Sequence, residues 1–242
     1  MPSARPTTPP DERAVVRQAL SVSVATGLYG VSLGALAVVA GLSVWQAVVL
    51  SLFMFSGGSQ FALVGIVGTG GSAVSAIATA GLLGVRNGFY GVQLSPLLAV
   101  RSWRRVVAAH LTIDESTAVA TAQPTVRLAR VGFWLTGAGV FVLWNVFVLA
   151  GALAGNALGD PKRYGLDAAA SAAFLALLWP RLGTGVARGV AVGSVLVAVV
   201  LTPVVPSGVP VLVAASLAVV VGWRTRPARI TKATPHEPEE QV

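Results

Sequence analysis

Charged side chains are absent from residues 18–85 of this chain. Arg86 breaks the silence, and a second uncharged run then lasts to Val100. Apolar segments of about 20 residues predict membrane-spanning helices. Such segments lie at 17–40 and 44–67, and later at 131–158, 166–179, 189–201 and 211–223. Gly41-Leu42-Ser43 is an uncharged turn between the first two, with Ser43 placed to cap the helix that follows. As one helix, 44–67 would be roughly 36 Å long, more than the ~30 Å hydrocarbon core. That excess predicts a tilt or a break, and Gly57-Gly58 is where the break belongs. Residues 72–100 would reach about 43 Å as one helix, yet as two they fall short of ~20 residues per span. They predict either a pair of short helices turning near Arg86 or one strongly tilted, broken span.

Arginines cluster at 101–130, at 181–188 and at 224–229, whereas the turns at 41–43 and 202–210 carry no charge. Basic residues mark cytoplasmic loops, which places both termini in the cytoplasm and makes 101–130 a polar interlude on that side. For the first half to obey the same rule, 72–100 must enter and leave on one face, which favours the re-entrant pair. Residues 1–14 and 225–242 read as disordered tails around one transmembrane domain, 15–224. The first tail holds four prolines within residues 1–13 and no short apolar core, so it does not read as a signal peptide.

Composition agrees with the pattern. The 242 residues are 55% hydrophobic and 11% charged, with a mean hydropathy of +0.77, where soluble domains carry about 25% charged residues. The predicted fold is all-α and polytopic, with about seven or eight helical spans, some broken or re-entrant. The net charge of +8 belongs to loops facing anionic headgroups and does not indicate nucleic acid. With no cysteine there is no disulfide and no thiolate metal site. Ala40-Gly41-Leu42-Ser43 and Tyr164-Gly165-Leu166-Asp167 each precede an interrupted apolar helix. The echo raises an internal repeat, a mark of many secondary transporters.

Few residues are equipped for chemistry. His110 and His236 are the only histidines, and no hydrolase, zinc-protease or nucleotide-binding motif is present. No cofactor or metal is expected. Gly57-Gly58-Ser59-Gln60 and Arg86-Asn87-Gly88 interrupt apolar runs with polar groups. Irregular backbone at membrane depth is tolerated where it is buried in protein or lines a wet cavity, and an intramembrane cation needs a partner. Gly57, Gly58, Gln60, Phe61, Arg86, Asn87 and Tyr90 are therefore the candidate solute-binding residues, with the two breaks meeting in space. Arg86 also has a plainer reading as an interfacial residue at the exit of a short span. Asp114 and Glu115 are either a solvated helix start or a gate pairing with arginines such as Arg101 or Arg105. Asp167 either complements a helix N-terminus or sits in the solute path. Gly132, Gly137, Gly139, Gly151 and Gly155 form a small-residue surface suited to close helix contact, here expected to meet a partner. Trp134, Trp179 and Trp223 read as interfacial belt residues.

Taken in order, Ala40-Gly41-Leu42-Ser43, Phe55-Ser56-Gly57-Gly58-Ser59-Gln60-Phe61, Arg86 to Gly91 with Tyr90, Leu94-Ser95-Pro96, Asp114-Glu115-Ser116 and Gly165-Leu166-Asp167 resemble the AzlC family. These are the large subunits of bacterial branched-chain amino acid exporters. The resemblance covers roughly residues 15–222. It implies a permease in the cytoplasmic membrane working with a small hydrophobic AzlD-type partner. It also implies export of branched-chain amino acids driven by the proton gradient. The chain departs from the family pattern at Gly84 and Asn87, where the pattern has asparagine and histidine. The histidine is a group that titrates near neutral pH. Two other classes are a permease or channel for another small solute, and a membrane enzyme. A channel needs a continuous wet pore, which the last two spans are too apolar to line; an enzyme needs a reactive constellation.

Overall fold

The computed structural model describes residues 12–157, 175, 178, 179, 182–205 and 209–224. Among them there are nine helices and no strand: α1 (Glu12–Val39), α2 (Val44–Phe53), α3 (Gly57–Gly68), α4 (Ala73–Leu98), α5 (Trp103–His110), α6 (Asp114–Thr121), α7 (Val126–Ala157), α8 (Gly185–Leu201) and α9 (Val209–Arg224). The protein is an all-α membrane protein. Most of the fifth expected span, Asp167, the second half of the repeat echo and the tail at 225–242 lie outside the described residues, as does most of the tail at 1–14.

The two longest apolar helices, α1 and α7, form the central pair. Lipid gives apolar helices no hydrophobic reason to associate, so close backbone approach through small residues takes over. A Cβ on Gly34 would lie 2.0 Å from the Val148 carbonyl oxygen, and one on Gly151 2.0 Å from that of Val31. Gly27 and Gly30 meet Leu143 and the Trp144 carbonyl in the same way. This corrects the expected role of the α7 glycines. Gly139 abuts Ser23 and Gly155 abuts Ala35, both on α1; Gly132 faces Val119 and Gly137 faces Leu111. All five are spent inside the chain. A Glu12–Arg127 ion pair joins the start of α1 to the start of α7.

The second apolar run is broken as expected. Ser43 and Gln46 form a reciprocal capping box that starts α2, with bonds of 3.2 and 2.8 Å. The helix ends at Phe53, three residues bridge the gap, and Gly57 opens α3. The glycines are thus the first turn of a new helix. The turns after α1 and α3 use Gly41 and Gly70, with φ of +90° and +75° that other residues avoid.

One expectation fails. Residues 72–100 do not turn at Arg86: Ser72 caps α4, which runs unbroken through Arg86-Asn87-Gly88 and includes Pro96 in its last turn. Glycine weakens a helix by about 1 kcal/mol without breaking it, and a proline this near the C-terminus leaves most of the hydrogen-bond ladder intact. At 26 residues, or about 39 Å, α4 is long, but length alone does not force a turn. The polar interlude at 101–130 holds two short helices, and Asp114 starts the second of them. Leu111, Ile113, Ser116, Val119 and Ala120 are buried, and α6 packs on α7. Their apolar character is diluted in sequence by neighbouring arginines. α8 and α9 pair as a hairpin matching the last two expected spans, joined by Gly193 against Leu217 and a Ser194 to Ala214 carbonyl bond of 3.3 Å.

Candidate functional site

Three-residue joints lie at 54–56 between α2 and α3 and at 111–113 between α5 and α6. Both open onto one cavity of about 300 Å³, with the middle of α4 on a further side. Its lining includes Gly57, Gly58, Phe61, Arg86, Asn87, Asp114 and Glu115. Seven of the ten candidate residues are therefore gathered, although Arg86 sits within a helix and not at a turn.

Arg86 crosses from α4 to the start of α6, where its Nη2 meets Asp114 Oδ2 at 2.8 Å. The expected partners of Asp114, Arg101 and Arg105, are not involved in this pair. A Cβ on Gly58 would lie 3.4 Å from Arg86 Nη2, so the guanidinium sits against the first turn of α3. Arg86 Nε and Asn87 Oδ1 are buried without a protein hydrogen-bond partner.

The start of α3 adds a positive contribution. Ser56 has the extended backbone of an N-cap, but its hydroxyl donates to Ser59 Oγ at 3.2 Å and makes no capping bond. The first amides of α3 keep the partial positive charge of a helix N-terminus. At α6 the arrangement is the reverse. Ser116 Oγ accepts from the Ile113 amide at 3.1 Å and donates to the Leu111 carbonyl at 2.7 Å, which fixes the joint. Asp114 and Glu115 then occupy the first turn, where acids are favoured. One side of the cavity presents Arg86 and an uncapped helix start; another presents two carboxylates.

The rest of the lining is mostly apolar: Phe55, Phe61, Leu83, Ile113, Val140, Trp144 and Leu178, with hydroxyls from Ser56 and from Thr26 and Tyr29 of α1. Phe55 packs edge-on to Phe141 at 5.1 Å and lies 5.8 Å from the His110 ring. Phe61 meets Trp144 edge-on at 6.4 Å. The Trp144 ring also lies over Gly57, where a Cβ would be 3.2 Å away.

Gln60 does not line the cavity. It is fully buried behind it, where Oε1 accepts from Trp144 Nε1 at 3.0 Å and Nε2 donates to the Leu50 carbonyl at 3.4 Å. Its polar group is engaged with the protein, tying the end of α2 to α3 and α7. Tyr90, one turn beyond Arg86 on α4, also lies outside the cavity lining. Trp144 is the residue that sequence reasoning missed. A buried indole and a buried amide in one oily chain each need a partner, and that mutual need was the available signal. Among the described residues no group of acids and histidines is placed to hold a metal.

A family model described as AzlC protein matches residues 21–158. That stretch contains about two thirds of α1, the whole of α2 to α7 and every cavity residue except Leu178; α8 and α9 lie beyond it. No curated protein and no solved structure matches the chain. With more than half its length matched, across the helices that build the cavity, the chain belongs to the AzlC family.

Proposed function

We propose that this membrane transport protein exports branched-chain amino acids across the bacterial cytoplasmic membrane, with both termini in the cytoplasm. It would be driven by the proton gradient and assisted by a small hydrophobic AzlD-type subunit. The observation that carries the reading is the Arg86–Asp114 pair inside a mainly apolar cavity. An amino acid zwitterion needs a cation for its carboxylate, an anion for its ammonium and an apolar wall for its side chain. Arg86 with the start of α3 offers the first, Asp114 and Glu115 the second, and Phe55, Phe61, Val140 and Trp144 the third. The cavity volume sits at the small end of ligand sites, about 300–1,000 Å³, which suits one small solute. Arg86 and Asp114 neutralise one another. An arriving zwitterion replaces each as the other's partner, so solute binding and separation of α4 from α6 become one event. The acids are thereby placed to gate or couple.

Transport of labelled leucine into everted vesicles, with and without the small subunit, tests this. Uptake is expected from the wild type in the presence of a proton gradient. It should be lost in both Arg86→Gln and Asp114→Asn at matched expression. Leucine uptake of normal rate in either variant would overturn the assignment of the pair to the solute.

A further inference from the structure

A second cavity of about 580 Å³ lies on the far side of α3 and α4, closed by α8 and α9. Its lining includes Ala62, Gly65, Thr79, Ala198 and Val211. Two residues, Phe61 and Leu83, line both this cavity and the one at Arg86. The two spaces therefore share a wall formed by these side chains. Phe61 is 2% exposed and is braced from behind by the Trp144 ring, itself anchored through Gln60. Leu83 reaches the partition from α4, one turn before Arg86.

The chemistry of the second space decides what it can take. None of its lining residues is charged. The Thr69 hydroxyl bonds to the Gly65 and Ile66 carbonyls, and the Thr202 hydroxyl to that of Ala198, so both are spent on their own helices. Thr79 alone keeps a buried hydroxyl without a partner. Charged groups are not stable in such surroundings without counter-charge, so neither end of a zwitterion would leave Arg86 and Asp114 for it. An apolar side chain has no such objection. A solute held at Arg86 by its charged end could extend its side chain only across Phe61 and Leu83.

We propose that Phe61 and Leu83 set the upper size limit on the solute's side chain, by walling off a ready-made apolar extension of the binding site. In the native protein branched aliphatic side chains stop at the partition; shortening either residue joins the two spaces and admits aromatic ones. This rests on the transport reading above.

The test measures the phenylalanine-to-leucine ratio of kcat/KM for uptake into everted vesicles, using the full chain co-expressed with its small subunit. Phe61→Ala is expected to raise the ratio by about tenfold or more, the scale on which a hydrophobic pocket discriminates size. Gly65 offers a refill, because a Cβ there meets nothing within 4 Å and its side chain would project into the second space. Phe61→Ala with Gly65→Leu should bring the ratio back toward wild type, which a merely structural role for Phe61 would not produce. If Phe61→Ala does not accumulate in the membrane, Leu83→Ala, at a partly exposed position, carries the same test with the same outcomes. Leucine transport that persists with an unchanged ratio overturns the partition and leaves the transport reading standing. Absence of leucine transport by the wild type overturns the transport reading, and the partition with it.

Discussion

A buried indole N–H in an oily interior must find an acceptor, and Trp144 finds Gln60. Gln60→Leu strands that N–H, and Trp144→Phe strands the amide oxygen. Each is expected to lower stability by about 1–3 kcal/mol, the cost of one buried unsatisfied group. The double variant should lose less than the sum, as a thermal-unfolding cycle in detergent would read out. At Arg86 the expectation is functional. Lysine keeps the charge but loses the planar fork that grips a carboxylate through two bonds. Arg86→Lys should therefore weaken apparent leucine affinity by about 1–3 kcal/mol, measured as KM at matched expression. A wild-type KM would return Arg86 to a purely structural part. These residues differ in how legible they were. Arg86 and the Gly57-Gly58 pair stand out because charge and broken backbone are costly in lipid. The partner of Arg86 was hidden, since proximity in sequence favoured Arg101 and Arg105 for Asp114 while the true contact spans 28 positions. Gln60 was legible as a polar group in need of partners. Whether those partners were solute or protein depended on Trp144, 84 residues away.

At the scale of elements, hydropathy found the joints that lie inside apolar runs and missed the one inside a basic stretch. The α2–α3 break follows from length and glycine. The α5–α6 joint is invisible to hydropathy because its buried residues sit between arginines that point elsewhere. Unbroken α4 shows the opposite error: Arg86-Asn87-Gly88 resembles a turn, but a helix accepts a polar residue that has Asp114 to face. Glycines illustrate why type alone does not give role. Gly34→Ala would drive a methyl group into the Val148 carbonyl. It is expected to destabilise the α1–α7 pair by about 1–3 kcal/mol or more, seen as lost folded yield and a lower melting temperature. Gly88→Ala, on an exposed part of α4 with nothing within 4 Å, should stabilise the helix by about 0.5–1 kcal/mol. Equal effects of the two would contradict the packing described here.

For the molecule as a whole, the positive-inside pattern predicts that α5, with Arg104 and Arg105, faces the cytoplasm. The chain has no cysteine, so Arg104→Cys introduces a single label site. It should react with an impermeant thiol reagent in everted vesicles and not in intact cells; labelling from outside would invert the topology. The pairing of Arg86 with Asp114 has an electrical consequence. The two residues together sum to zero charge, and so does an amino acid zwitterion. Filling the site leaves that balance unaltered, so the membrane voltage, worth about 2.3 kcal/mol per elementary charge per 100 mV, has no net charge to act on in the solute itself. Any current that accompanies leucine then counts the coupling cations alone. On the transport reading proposed above, its ratio to leucine flux, recorded from vesicles on a charge-sensitive electrode, is expected to give the coupling stoichiometry directly.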